Sequence, residues 1–75
     1  MEQEIMELLS QINPYEEIEE TTRLLEEGVL DSLALLLLIS ELEKKYPVKI
    51  DFEHLKLENF ETVETIVEFL QEKIR

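Results

Sequence analysis

Residues 28–46 read Gly-Val-Leu-Asp-Ser-Leu-Ala-Leu-Leu-Leu-Leu-Ile-Ser-Glu-Leu-Glu-Lys-Lys-Tyr, and they contain the clearest helical pattern in the chain. A helix is predicted from Ser32 to Tyr46, since the stretch is rich in leucine and Pro47 follows it. Successive residues lie about 100° apart around a helix, so one face carries Leu35, Leu38, Ile39, Leu42 and Tyr46. This stripe runs the full length of the helix, and we expect it to face the core.

The same helix is also apolar on its other side, where Leu33, Leu36, Leu37 and Ser40 fall. A helix with two apolar faces is either fully buried or exposes a patch to a partner. Full burial is difficult to arrange in a chain of 75 residues, which favours a docking surface. The alternative is that the preceding loop folds over these leucines and covers some of them, with Leu36 as the best candidate.

Two further helices are predicted, one on either side of this one. The first runs from about Glu2 to Asn13, and Pro14 ends it. The last follows Thr62, a residue type suited to a helix N-cap, and continues through Ile74. The apolar positions are Ile5, Leu8, Leu9 and Ile12 in the first helix, and Val63, Ile66, Val67, Leu70 and Ile74 in the last.

The connecting segments contain apolar residues that we expect to be buried. Gly28, in the long loop before Asp31, is expected to adopt a conformation that a Cβ would disfavour. Residues 48–50 are expected to be extended, and residues 53–58 to form one or two helical turns. The expected anchors are Leu24, Leu25, Val29 and Leu30 in the loop, with Leu55 and Phe60 packed inward later in the chain.

Together these elements predict an all-α fold, a small four-helix bundle of three principal helices plus a short third helix. Residues 1–75 are expected to form a single domain, because no repeat, linker or low-complexity stretch interrupts them. With 44% hydrophobic residues and no cysteine, the chain must fold on an apolar core without disulfides.

The net charge of −12 limits the partners of the protein. Nucleic acids and anionic membrane surfaces would be repelled, because both are bound mainly through lysine and arginine, whereas basic protein surfaces would be attracted. The apolar run from Leu33 to Ile39 is too short to span a bilayer, and the first residues lack the basic region of a secretory signal. We therefore expect a cytoplasmic protein that binds no nucleic acid and does not insert stably into membranes. We also expect it to be a monomer.

Candidate metal and catalytic sites are weak. The acidic residues 16–20 lack the glycine turn and the alternating ligands of calcium loops, so a solvated loop is expected. His54 is the only histidine, and no spacing singles out a pair of carboxylates for acid–base catalysis. Ser32 has no evident neighbouring base that would activate it as a nucleophile. We expect neither a metal site nor enzymatic activity.

The triplet Asp31-Ser32-Leu33 at the start of the second helix has two interpretations. Read alone, Asp31 or Ser32 is a helix N-cap. In its context, the stretch from Gly28 to Leu33 resembles the signature of acyl and peptidyl carrier proteins, and residues 58–63 resemble the entry to their last helix. The resemblance extends over nearly the whole chain through length, acidity and helix order, and it implies an acyl-carrier-like bundle.

In that family the serine of the Asp-Ser-Leu motif, here Ser32, is the attachment point for 4′-phosphopantetheine. A helix N-terminus also suits a phosphodiester. The resemblance implies a carrier that holds acyl or aminoacyl cargo as a thioester on this arm. Asp31 and Leu33 would help a phosphopantetheinyl transferase to recognise the site. The face toward the other partners, an activating ligase or adenylation enzyme and downstream acyl-processing enzymes, would consist of Leu36, Leu37 and Ser40.

The chain departs from the fatty-acid type of carrier in one respect. That type places acidic residues early in the second helix, whereas residues 34–40 here contain no charge. Docking is therefore expected to depend more on apolar contact. The length between the second and last helices and the lead-in Gly-Val-Leu-Asp-Ser resemble D-alanyl carriers, and discrete peptidyl and secondary-metabolism carriers are equally similar. The alternative hypothesis is an unmodified acidic helical adaptor that docks a partner through Leu33, Leu36 and Leu37.

Overall fold

The computed structural model describes residues 1–74 and contains three α-helices: α1 (Glu2–Ile12), α2 (Ser32–Lys45) and α3 (Val63–Ile74). Two short 3-10 helices, Phe52–His54 and Leu57–Phe60, lie between α2 and α3. Within the described residues there is no β-strand. The all-α prediction is therefore confirmed.

The segment expected to form one short third helix forms the two 3-10 helices instead. Asp51 caps the first of them, because its side chain accepts the Glu53 N–H at 3.0 Å. Leu55 and Lys56 then adopt extended backbone conformations, which separate the two turns. The fold therefore consists of three α-helices, with a pair of 3-10 turns in place of the fourth helix of the predicted bundle.

The α-helices bury most of the apolar positions that their sequences predict. Helix α1 packs against both α2 and α3, and α3 also packs against the second 3-10 helix. Phe60, at the end of that 3-10 helix, is fully buried, and its ring centre lies 5.5 Å from that of Phe69. The buried cluster consists of Ile5, Leu8, Leu9, Leu24, Val29, Leu30, Leu35, Leu38, Ile39, Leu42, Ile50, Phe60, Val63, Ile66 and Leu70.

The ends of α1 and α2 lie close to the predicted positions. Helix α1 ends at Ile12, and Asn13 closes it with a backbone hydrogen bond. Helix α2 ends at Lys45, one residue earlier than predicted. The reason is that Tyr46 takes the extended conformation that a following proline favours, while its side chain still packs at the edge of the core.

Helix α3 begins with the predicted cap. The Thr62 Oγ1 accepts the Thr65 N–H at 3.1 Å, and the Thr65 Oγ1 accepts the Thr62 N–H at 3.1 Å. This reciprocal pair satisfies two N–H groups that the helix itself cannot bond. At the other end, Ile74 is exposed and not part of the buried stripe, since it lies in the last turn of the helix.

The loop between α1 and α2 is attached to the core at its second half. The Leu24 N–H donates to the Glu61 carbonyl at 2.7 Å, and the Leu30 N–H donates to the Leu24 carbonyl at 2.9 Å. Gly28 has a φ of 76°, the left-handed conformation that a Cβ disfavours, as predicted. The expected anchors of the loop are confirmed. Leu24, Val29 and Leu30 are fully or almost fully buried, and Leu25 is partly buried.

Candidate functional site at the start of α2

The first turn of α2 shows which residue caps the helix. Asp31 has the extended backbone of an N-cap, and its Oδ1 accepts the Ala34 N–H at 2.8 Å. Ser32 is the first residue of the helix itself. The question that the sequence left open is therefore resolved in favour of Asp31, and the Ser32 hydroxyl is not required as a cap.

Two leucines on either side of Ser32 hold its backbone in place. Leu30 and Leu35 are almost fully buried in the core. The Leu35 N–H donates to the Asp31 carbonyl at 2.8 Å, which closes the first helical turn. Ser32 itself is exposed. Its backbone position is thus fixed by buried neighbours, and another protein can reach its side chain without unfolding the helix.

The surroundings of the Ser32 hydroxyl suit a phosphate ester. Ser32 opens a helix of 14 residues whose first turn contains no acidic side chain. The unbonded N–H groups and the dipole of such a helix favour negative charge at this end. The one histidine, His54, pairs with Asp51 in the first 3-10 helix region. The Ser32 hydroxyl is exposed, so a modifying enzyme can reach it.

The side of α2 that faces away from the core carries the residues expected to meet partners. Leu33, Leu36 and Leu37 are 69%, 47% and 51% exposed, and Ser40 is exposed as well. We refer to these four residues as the outer α2 face. The residues on the opposite side of the helix are buried, namely Leu35, Leu38, Ile39 and Leu42. The helix therefore has one buried and one exposed apolar face.

The preceding loop does not bury Leu36. Leu36 remains 47% exposed, while the loop's anchors join the core cluster and a hydrogen bond between Leu24 and Glu61 attaches the loop to the start of α3. The interpretation in which the loop covers Leu36 is therefore wrong. The exposed leucines are a feature of the folded protein, of the kind that marks interaction sites.

A shallow groove of about 340 Å³ lies between the 3-10 helices and α3. The Lys73 ammonium lies 5.5 Å from the centre of the Phe69 ring, within the range of a cation–π contact. The other charged side chains of the groove have both signs, with acids such as Asp51 and Glu72 beside Lys56. This mixture of charges does not favour one class of ligand.

The described part of the chain, residues 1–74, offers no other candidate site. No helix in it is long and apolar enough to cross a membrane. No group of three or more histidine, aspartate or glutamate side chains is arranged there to hold a metal ion. The glutamates at positions 16, 17, 19 and 20 are exposed to solvent.

One contact that supports α2 could not be found from the sequence. The Tyr46 hydroxyl, just after α2, donates to the Glu4 Oε1 in the first turn of α1 at 2.6 Å. This hydrogen bond holds the pKa of the Glu4 carboxyl below its ordinary value. Burial, together with the Glu4 carboxylate, raises the pKa of Tyr46 to about 12. The two residues are far apart in the chain, and no local pattern links them.

Comparison with known proteins identifies the family of the chain. A family model described as "Phosphopantetheine attachment site" matches residues 3–70, which include nearly all of α1, the whole of α2 and most of α3. No curated protein matches the chain. Members of the family are non-catalytic carriers that bind 4′-phosphopantetheine covalently, and the exposed serine at the start of α2 fits such a group. The chain therefore belongs to the phosphopantetheine attachment-site family of acyl and peptidyl carrier proteins.

Proposed function

We propose that Ser32 carries the 4′-phosphopantetheine arm and that the protein shuttles acyl or aminoacyl thioesters between biosynthetic enzymes. The observation that carries this proposal is the position of Ser32. It is an exposed residue at the first position of α2, and Asp31, not Ser32, caps the helix. The hydroxyl is therefore available for an ester bond without loss of a helix-stabilising contact.

The modification transfers one group from coenzyme A. The Ser32 Oγ forms a bond to the phosphorus next to the pantetheine, the bond to the adenosine bisphosphate breaks, and the hydroxyl proton passes to a base of the transferase. The arm, once attached, supplies a thiol to which cargo binds as a thioester. The chain has no cysteine, so this thiol is the one place where a thioester can form.

The partners follow from the neighbours of Ser32. Asp31 and Leu33, on either side of it in the chain, are placed to be recognised by the phosphopantetheinyl transferase. The rest of the outer α2 face is exposed to an activating ligase or adenylation enzyme and to downstream acyl-processing enzymes. Because residues 34–40 carry no charge, we favour a discrete peptidyl, D-alanyl or secondary-metabolism carrier over the fatty-acid type.

The test is the intact mass of the protein after incubation with coenzyme A, magnesium and a broad-specificity phosphopantetheinyl transferase. Wild-type protein should gain one phosphopantetheinyl group, and Ser32→Ala should gain none. Ser10→Ala, which changes an exposed serine of α1, is the matched control and should be modified like the wild type. Modification of the Ser32→Ala protein would refute the assignment, as would a folded wild-type protein that gains no mass.

The second candidate function is an unmodified acidic adaptor. It is favoured by the exposure of Leu33, Leu36 and Leu37, which an adaptor would use to dock a partner. Under this hypothesis Leu37→Glu abolishes partner binding, whereas Ser32→Ala has little effect. The mass measurement decides between the two, because an adaptor requires no modification of Ser32.

A further inference from the structure

The chain that leaves α2 is attached to the core mainly through one side chain. We refer to residues 47–56, which precede the second 3-10 helix, as the α2–α3 segment. Ile50 is its one buried residue, at 7% exposure, while Val48 and Leu55 are only partly buried. The first 3-10 helix, which belongs to this segment, contains no buried residue. The apolar attachment of the segment is therefore concentrated at Ile50.

A single hydrogen bond connects the same residue to a helix. The Ile50 N–H donates to the Glu43 Oε2 at 2.8 Å, and Glu43 lies in the last turn of α2. Within the described part of the chain, the other hydrogen bonds of the segment join near neighbours, such as the Leu55 N–H and the Phe52 carbonyl at 3.4 Å. The buried side chain and the one connection to α2 thus coincide at Ile50.

On its other side, the segment is separated from α3 by the shallow groove of about 340 Å³. Ile50, His54 and Leu55 line this groove on the side of the segment, and Phe69 lines it on the side of α3. Solvent therefore reaches between the segment and the helix. The second 3-10 helix, which follows, is attached independently, because it packs against α3 and ends in the fully buried Phe60.

The loop between α1 and α2 provides a comparison. It buries three side chains, Leu24, Val29 and Leu30, and its Leu24 N–H donates to the Glu61 carbonyl at the start of α3. Regions with few buried apolar contacts and exposed hydrogen bonds open locally at a lower free energy than the rest of a fold. By this criterion the α2–α3 segment opens more easily than the longer loop.

We propose that residues 47–56 open as a unit while the three α-helices stay packed, and that the Glu43 carboxylate holds the segment closed. Opening withdraws Ile50 and exposes to solvent the site in the core that its side chain fills. Glu43 is itself exposed, so the contact that keeps the segment closed lies at the surface. This inference goes beyond the proposed function and does not depend on the modification of Ser32.

Two matched variants of α2 test the role of Glu43. Glu43→Ala removes the acceptor of the Ile50 N–H, and α2 is not weakened, because alanine is the most favourable residue inside a helix. Glu41→Ala is the control, since it makes the same change in net charge on the same helix. The Glu41 carboxylate pairs with Lys44 and not with the segment.

The measurement is amide hydrogen exchange of each folded protein, followed by NMR. The reporters are the amides of Ile50, His54 and Leu55, because the last two donate to carbonyls within the segment and not to Glu43. Glu43→Ala should accelerate all three by about tenfold, since a hydrogen bond to a charged group is lost and water replaces it in part. Amides of α1 and α3 should stay within about twofold of the wild type, as should all amides of the segment in Glu41→Ala.

Three results would overturn the proposal. Acceleration of Ile50 alone would show that one hydrogen bond is lost without opening of the segment. Equal acceleration in α1 and α3 would show that these amides exchange through unfolding of the whole protein. The same acceleration in Glu41→Ala would assign the effect to net charge and not to the contact with Ile50. None of these results bears on the modification of Ser32, which the mass measurement tests separately.

Discussion

Replacing Tyr46 with phenylalanine removes one hydroxyl and keeps the aromatic ring that packs at the edge of the core. The hydroxyl donates to the Glu4 carboxylate at 2.6 Å, and the two residues connect the end of α2 to the first turn of α1. Helix α1 is the one that packs against both α2 and α3. The substitution therefore isolates the contribution of one hydrogen bond between two helices.

The expected loss is about 1 kcal/mol in the free energy of unfolding. Hydrogen bonds to charged groups contribute about 1.5–3 kcal/mol, but the Glu4 side chain is 44% exposed. Water therefore replaces the lost donor and reduces the cost of the Tyr46→Phe substitution. A folded chain of 75 residues has a free energy of unfolding of about 4–11 kcal/mol, and a loss of about 1 kcal/mol lowers its Tm by about 4–8 °C.

The loss should depend on pH in a defined way. The hydrogen bond lowers the pKa of Glu4 from its ordinary 4.5 in the folded state, so its stabilisation is present above pH 4.5 and is lost as the pH falls through the lower, folded value. The pKa of Tyr46 is raised from 10.0 to about 12. The corresponding stabilisation is present below pH 10 and is lost as the pH rises toward 12.

Urea denaturation followed by circular dichroism at several pH values tests this reasoning. The wild-type protein should exceed Tyr46→Phe in stability at pH 7, and the difference should shrink at low pH and again above pH 10. Tyr15→Phe is the control, because Tyr15 is 94% exposed and its hydroxyl should contribute little. A difference between wild type and Tyr46→Phe that is the same at pH 3 and pH 7 would refute the argument.

Two other substitutions test the site and the core. Asp31→Ala leaves the Ala34 N–H without its acceptor and should lower the free energy of unfolding by about 1 kcal/mol. Asp31→Asn retains an acceptor and should lose much less in the same urea experiment, so equal losses would contradict the cap. Phe60→Ala should lose about 3–5 kcal/mol, because Phe60 is fully buried, which is much of the stability of so small a domain. Thermal unfolding measures this loss of stability, and Phe60→Leu, which keeps an apolar side chain, is the milder control. A Tm of Phe60→Ala near that of the wild type would show that the core does not depend on this ring.

The sequence by itself determined the three α-helices and most of their buried faces. Helical periodicity is a local property, so the core residues of α2 could be recognised from their spacing. The same holds for the Thr62 cap and for Gly28, because a threonine hydroxyl can cap a helix and a residue without a Cβ can adopt a positive φ. The candidate site came from the family resemblance of residues 28–33, because Asp31-Ser32-Leu33 read alone is explained by a helix N-cap.

Only the tertiary structure decided the questions that depend on residues distant in the chain. Leu36 is 47% exposed, and the loop is bonded to Glu61 at the start of α3, an attachment that no local pattern specifies. The contact between Glu4 and Tyr46 exists because α1 and α2 lie side by side. Likewise, the carboxylate of Glu43 is engaged because the chain returns to it at Ile50. Periodicity shows which side of a helix is apolar, but whether that side is covered depends on the path of the rest of the chain.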